Sequence, residues 1–356
     1  MDSRTREVLG RLLDARGPSG FETAAAAIWR EEAEAFADET WRDVHGNSFA
    51  AINVGAAPRV MLAGHIDEIG LMVHHIDDDG YLYVKGVGGW DPQVLVGQRV
   101  ELLGRDRTVL GVIGRRAVHL IPREDLEKAV KLKELWIDIG AKNGEEAREL
   151  VAVGDVAVVR SDTVELTNGR LVARSIDDRV GAVVALEALR RAKETGCTAH
   201  VVAVATTQEE IGYVAGGGAR TSTFALDPQV GIVIDVTHAT DHPSVDRKEH
   251  GEVKLGGGPV LSRGAAVNGV VLGRLVEAAG EAGIAYQMQA SPSMTGTDAD
   301  AVRMSRAGVA TGLVSIPDRY MHSPNQVVAT EDVEEAADLI ATFLANLSEE
   351  VSFVPE

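Results

Sequence analysis

The most constraining stretch of this chain is His200–Gly212, which reads HVVAVATTQEEIG. The run from His200 to Ala205 is almost wholly apolar and reads as a buried strand. It ends in two adjacent acids, Glu209 and Glu210, followed by a glycine. Neighbouring carboxylates at the C-terminal edge of a strand point in different directions. One can therefore bind a metal while the other handles a proton.

Four other apolar segments carry an acid or a histidine in the same way. His65 and Asp67 follow Arg59–Ala63, and Asp235 ends Val230–Ile234. His322 lies in a loop after Val309–Val314, and Asp177-Asp178 opens a helical pattern over Arg179–Lys193. Taken singly, these are ordinary features: a polar turn, or an N-cap. Taken together, they supply two histidines and at least three carboxylates as ligands and leave Glu209 or Glu210 spare. Acids at the C-terminal ends of strands lie where open α/β sheets build their sites. Mixed His, Asp and Glu ligation suits Zn²⁺, Co²⁺ or Mn²⁺. A carboxylate bridging two such ions gives a site ~3.5–4 Å across that acidifies a bridging water and polarises a carbonyl. The spare glutamate is then the natural general base, and Asp67 can orient His65 from behind.

The rest of the chain falls into two textures. Helices are expected over residues 3–15 and 22–37, and strands over 40–44, 48–54 and 59–63. From about residue 70, short strands dominate (71–76, 81–85, 99–103, 109–113 and 155–159), with helices expected only near 123–133 and 144–150. After Asp177 the α/β rhythm returns and closes on a helix over 331–347. The expected fold is an α/β domain, residues 1–69 and 166–356, with a mixed sheet and helices on both faces. A β-rich, barrel-like module, residues 70–165, interrupts it.

Charge narrows the partners. The chain has 54 acids against 35 bases, a net charge of −19. Nucleic acids and anionic lipid surfaces need basic protein surface, so neither is an expected partner. No run approaches the ~18 apolar residues of a membrane span, and no secretion signal is visible. The single cysteine, Cys197, excludes an internal disulfide framework and fits a reducing cytoplasm. Of the remaining histidines, His238, His242 and His250 follow Asp235 and are expected near the substrate entrance. His74, His75, His119 and His200 read as structural.

The ordered set Gly64-His65-x-Asp67-Glu68-Ile69-Gly70, Asp177-Asp178-Arg179-x-Gly181, Gln208-Glu209-Glu210-x-Gly212, Ile234-Asp235-Val236-Thr237 and His322-Ser323-Pro324 resembles the M42 family of dinuclear metallo-aminopeptidases. Gly88-Gly89-Trp90-Asp91-Pro92-Gln93 inside the insertion resembles that family's own signature. The resemblance implies a metallopeptidase domain with an inserted dimerisation domain. It implies Asp177 as the bridging ligand, His65 and Asp235 on one metal, and Glu210 and His322 on the other. It implies Glu209 as general base, Asp67 as the residue orienting His65, and a cis Asp177–Asp178 peptide. The implied cofactors are two divalent ions per subunit, Zn²⁺ first, with Co²⁺ or Mn²⁺ as alternatives. Short peptides are the implied substrates, and a homododecamer built from dimers is the implied assembly. The loop QASPSMTGT, residues 289–297, has no Lys or Arg and is expected to line a pocket for neutral side chains. The competing activities are a metal-dependent deacylase or carboxypeptidase with the same ligand order, and a glycoside hydrolase using paired carboxylates.

Overall fold

The computed structural model describes residues 1–104, 107–212 and 216–355. Two helices, α1 (Ser3–Asp14) and α2 (Thr23–Glu34), precede β1 (Glu39–Arg42), β2 (Ser48–Ile52) and β3 (Arg59–His65). Six strands follow: β4 (Gly70–Ile76), β5 (Leu82–Val87), β6 (Arg99–Leu103), β7 (Thr108–Gly114), β8 (Trp136–Asp138) and β9 (Val156–Val159). They close into a barrel in the order β4-β5-β8-β7-β6-β9, with α3 (Gly144–Leu150) before its last strand. The chain returns through β10 (Val164–Leu166), β11 (Arg170–Ala173), α4 (Ile176–Glu194), β12 (His200–Thr206), α5 (Gly217–Leu226) and β13 (Val230–His238). It ends through α6 (Arg247–His250), β14 (Val260–Gly264), α7 (Gly269–Ala282), β15 (Gln287–Ser291), α8 (Ala299–Val302), β16 (Ala310–Asp318), β17 (Gln326–Ala329) and α9 (Thr330–Ala345).

The main sheet has eight strands in the order β1-β2-β12-β3-β13-β16-β14-β15. Its four central strands, β12, β3, β13 and β16, are parallel. The flanking pairs β1/β2, β2/β12 and β14/β16 are antiparallel, so the sheet is mixed. All seven residues of β12 are buried, because successive side chains enter different layers. Val201, Ala203 and Ala205 join the core beneath α1, α2, α4, α7 and α9. Val202 and Val204 join a second core with Ala219 of α5 and Ala299 and Val302 of α8. Helices thus cover both faces, and a both-sides-apolar strand is what that arrangement demands.

α4 is buried on every side from Ile176 to Leu189. Its start lies against the end of β3, and two glycines make that approach possible. A Cβ on Gly64 would sit 2.4 Å from the carbonyl carbon of Gly181 and 2.5 Å from the amide nitrogen of Ala182. A small three-stranded sheet, β10-β11-β17, completes the placement. Ala173, just before α4, pairs with Gln326, just after the His322 loop.

The structure differs from the local expectation in two places. Residues 123–133 form no continuous helix; two 3₁₀ turns, Arg123–Asp125 and Leu132–Glu134, stand there instead. Val130 turns into the barrel core while Leu126 stays exposed, so no single helical face would serve both. α5 was absent from the sequence reading.

Candidate metal centre

The parallel strands end together on one edge of the sheet, and the chemistry gathers there. His65 is the last residue of β3. Asp177 opens α4, joined to Asp178 by a cis peptide. Glu209 and Glu210 follow β12, Asp235 lies near the end of β13, and His322 sits in the loop between β16 and β17.

Asp177 is the common point. Its Oδ1 is 3.0 Å from His65 Nε2, and its Oδ2 is 3.4 Å from His322 Nε2. His322 Nε2 is also 3.4 Å from Glu210 Oε2. Two triads of possible ligands result, His65–Asp177–Asp235 and Asp177–Glu210–His322, each with its donor atoms within 4.8 Å of one another. The two triads share Asp177 alone. Glu209 belongs to neither; its Oε2 lies 3.9 Å from His65 Nε2.

The surrounding contacts fix these groups. The Gln326 side-chain carbonyl accepts the Asp177 amide at 2.7 Å. Asp178 turns away from the triads and accepts the amides of His65 at 3.2 Å and Gly181 at 3.1 Å. Asp67 is fully buried, with Oδ1 3.4 Å from His65 Nδ1. It does more than orient that ring. It accepts the amides of Glu209 at 3.1 Å and Glu210 at 3.2 Å, and the hydroxyl of Ser19. Asp67 therefore sets the turn that points the two glutamates apart.

Glu68 ties this loop to the frame. It pairs with Arg174 and Arg179 and accepts the Gly17 amide. Arg179, fully buried, also donates to the carbonyls of Leu12, Ala15 and Ile66. One guanidinium thus reaches carbonyls at the end of α1 and in the β3–β4 loop.

The barrel reaches into the site. Gly89 offers its carbonyl to His322 Nδ1 at 2.7 Å, which leaves Nε2 facing Asp177 and Glu210. A Cβ on Gly88 would lie 3.2 Å from Glu210 Oε2 and 2.5 Å from Ile69. Trp90 donates to the Gly70 carbonyl at 2.8 Å and anchors the turn. The Gly-Gly-Trp motif thus passes against the ligands.

Charge explains what the site needs. Burial pushes Glu209, Glu210 and Asp235 up, Asp235 to about 8, and neighbouring carboxylates add to the effect. Asp177 is buried too, but the two imidazoles beside it hold its carboxyl well below the usual range. Both histidines are correspondingly raised by Asp177. Two imidazoles thus face Asp177, Glu209, Glu210 and Asp235, with Asp67 behind, and negative charge is in excess. Glu210 Oε1 is buried with no hydrogen-bond partner. An unpaired buried carboxylate oxygen within a His/Asp/Glu donor set fits divalent cations of the zinc group. Asp177 is the one residue that belongs to both triads.

Two cavities open from Glu209. One of about 290 Å³ holds both triads, with His238 at its wall. The other, about 720 Å³, is lined by Phe224, Met294, Ala301 and Met304, with Asp298 at the shared edge. Gly296 and Thr297 border both, so the loop expected to line a pocket does so. His242 packs on Tyr320 at 5.7 Å, and His250 ends α6 in solvent. Asp298 was missed as a site residue. It stands two residues before Asp300, after a Thr/Gly-rich loop, without the preceding apolar run that marked the others.

The profile of the M42 glutamyl aminopeptidase family matches residues 46–339. A lysyl aminopeptidase of Pyrococcus furiosus is 35% identical over 347 residues, which cover 96% of this chain and 97% of that protein. The crystal structure of a TET aminopeptidase from a marine sediment Thaumarchaeota archaeon superimposes with a TM-score of 0.91. It is 35% identical, over 98% of this chain and 97% of that one. A Pyrococcus horikoshii peptidase, described as assembling into a tetrahedron or a large octahedral shell, has a TM-score of 0.85. It is 30% identical over 96% of this chain and 100% of that one. The family match over most of the chain, together with relatives that cover nearly its whole length, shows that this protein belongs to the M42 family of aminopeptidases.

Proposed function

We propose that this aminopeptidase removes N-terminal residues from short peptides at a dinuclear centre, with Glu209 as general base. The observation that carries the reading is Asp177, whose two oxygens face two histidines, one at the end of β3 and one in the loop between β16 and β17. His65 and Asp235 would complete one site, and Glu210 and His322 the other. Two divalent cations held there, Zn²⁺ first and Co²⁺ or Mn²⁺ as alternatives, would acidify a shared water and polarise the scissile carbonyl.

The chain's own groups supply the rest. Glu209 takes the proton of the attacking water as its oxygen bonds to the carbonyl carbon. It then gives that proton to the leaving amine as the C–N bond breaks. A glutamate pushed up by burial and neighbouring acids is basic enough to take a proton and, once protonated, acidic enough to return it to an amine. Asp67 holds the backbone of Glu209, so the carboxylate stays directed at the centre. Phe224, Met294 and Met304 favour a neutral, sizeable first side chain in the larger cavity.

The barrel is read as the dimer contact, in a homo-oligomer built up to twelve subunits. Its surface exposes Leu110, Val112, Val118, Leu120 and Leu126. Apolar exposure of that extent on one module supports burial against another copy. Cytoplasmic action is supported by Cys197, a free and buried thiol. No helix among the described residues is long and apolar enough to cross a membrane.

The deciding experiment is hydrolysis of an amino-acid p-nitroanilide before and after chelation. Chelation should abolish activity, and Zn²⁺, Co²⁺ or Mn²⁺ should restore it. Full activity in metal-free protein would refute the reading.

A further inference from the structure

The site holds one acid more than its chemistry uses. Asp177, Glu210 and Asp235 are the proposed ligands and Glu209 the base. Asp67 and Asp178 are taken up by backbone amides. Asp300 accepts the amides of Thr295 and Gly296 and pairs with Arg303. Asp298 is different. It is buried, and its Oδ2 accepts the Thr206 hydroxyl at 2.6 Å. Among the described residues, nothing donates to its Oδ1. Among the described residues, the one side-chain contact seen for Asp298 is the bond to Thr206.

Its position is informative. Asp298 lies at the edge of the larger cavity, next to Thr297, which borders the metal cavity as well. Its charge acts on Glu209 and Asp235, and that of His65 acts on it. It is therefore close to the reacting centre. Phe224, Met294 and Met304 give the larger cavity an apolar lining for a side chain, beside Arg220, Asp300 and Arg306. An N-terminal residue bound with its carbonyl at the metals carries its α-amine one atom away from that carbonyl carbon. Glu209 and Thr297 line the metal cavity and the larger cavity alike, and Asp298 lines the larger one beside them.

We infer that Asp298 is the anchor for the substrate's α-ammonium group, and that it makes the enzyme selective for free chain ends. This rests on the aminopeptidase site proposed above and assigns a residue to its chain-end selectivity. Thr206 fixes one carboxylate oxygen, so Oδ1 is left to accept from the ammonium without rearrangement. A buried carboxylate paired with a bound cation is a charge-assisted contact. A buried carboxylate left unpaired is costly, so ligands lacking the cation are penalised.

The test uses the metal-loaded Glu209→Gln protein, which binds without turnover, and two probes, L-leucinamide and 4-methylpentanamide. They differ only in the α-amine. Leucinamide should bind ~10- to 150-fold more tightly, the range for a hydrogen bond to a charged group. Adding Asp298→Asn should remove most of that gap by weakening leucinamide alone, with the metal content unchanged. If Asp298→Asn does not yield folded protein, Asp298→Ser keeps a partner for Thr206 without the charge. A gap that persists in the double variant overturns the assignment. So does a variant that weakens L-lysinamide while leaving leucinamide unchanged, because Asp298 would then serve a side-chain cation. Failure of both probes to bind Glu209→Gln would refute the site reading itself, and this inference with it.

Discussion

Replacing Gly64 by alanine tests how the fold assembles the site. The new Cβ would lie 2.4 Å from the Gly181 carbonyl carbon, 2.5 Å from Ala182 N and 2.7 Å from Gly181 O. Ordinary contact begins at 3.4 Å, so β3 and α4 must part by about 1 Å. The three atoms met are backbone, and an alanine Cβ has no rotamer to change, so neither side can yield by side-chain rotation. Overpacking of a core costs about 1–3 kcal/mol, and a methyl driven against backbone belongs at the upper end. The same separation acts on the site, because His65 follows Gly64 and reaches Asp177 at 3.0 Å. Urea denaturation should show the midpoint falling, and elemental analysis should show metal lost. Gly10→Ala is the control. It lies in α1 with nothing within 4 Å of the added methyl. It should stabilise the protein by roughly 0.5–1 kcal/mol through helix propensity. Gly64→Ala protein as stable and as metal-rich as the parent would refute the reasoning.

Other outcomes follow from the same geometry. Glu209→Gln should retain its metals and lose ~10²–10⁴-fold in kcat, whereas Glu210→Gln should lose metal. The reverse pattern in elemental analysis would exchange the two roles. Arg179→Met should cost about 3–5 kcal/mol in a urea titration, since it breaks a buried charge network. A loss below 1 kcal/mol would show that Glu68 and the α1 carbonyls find other partners. Leu120→Asp, on the exposed barrel surface, should lower the mass found by light scattering. An unchanged oligomer would move the dimer contact elsewhere.

Sequence reached the site further than it reached the scaffold. His65, Asp177, Glu210, Asp235 and His322 were visible because each follows or precedes a hydrophobic segment, and the structure brings them together. β12 was legible because a strand covered on both faces must be apolar throughout. α5 was not legible. Its sequence, GGARTSTFAL, has two glycines and three hydroxyl residues, and only Gly218, Ala219, Ser222 and Thr223 are buried. The 123–133 segment misled for the opposite reason. Its charged, helix-favouring residues have no surface to pack on, and tertiary demands on Val130 decided its path. Gly89 acts through a carbonyl, Ser19 is one residue in a turn, and Asp298 follows no strand. None of the three has a side-chain pattern that marks it in sequence.

Metal stoichiometry tests the central claim most directly. Purified protein, loaded and then freed of excess ion, should carry two divalent ions per chain by elemental analysis. Asp235→Asn and His322→Ala should each remove about one, because each belongs to a single triad. Asp177→Asn should remove both, because Asp177 is the one residue common to the two triads. A parent protein holding only one ion, or an Asp177→Asn variant that keeps two, would contradict a centre built on a shared carboxylate.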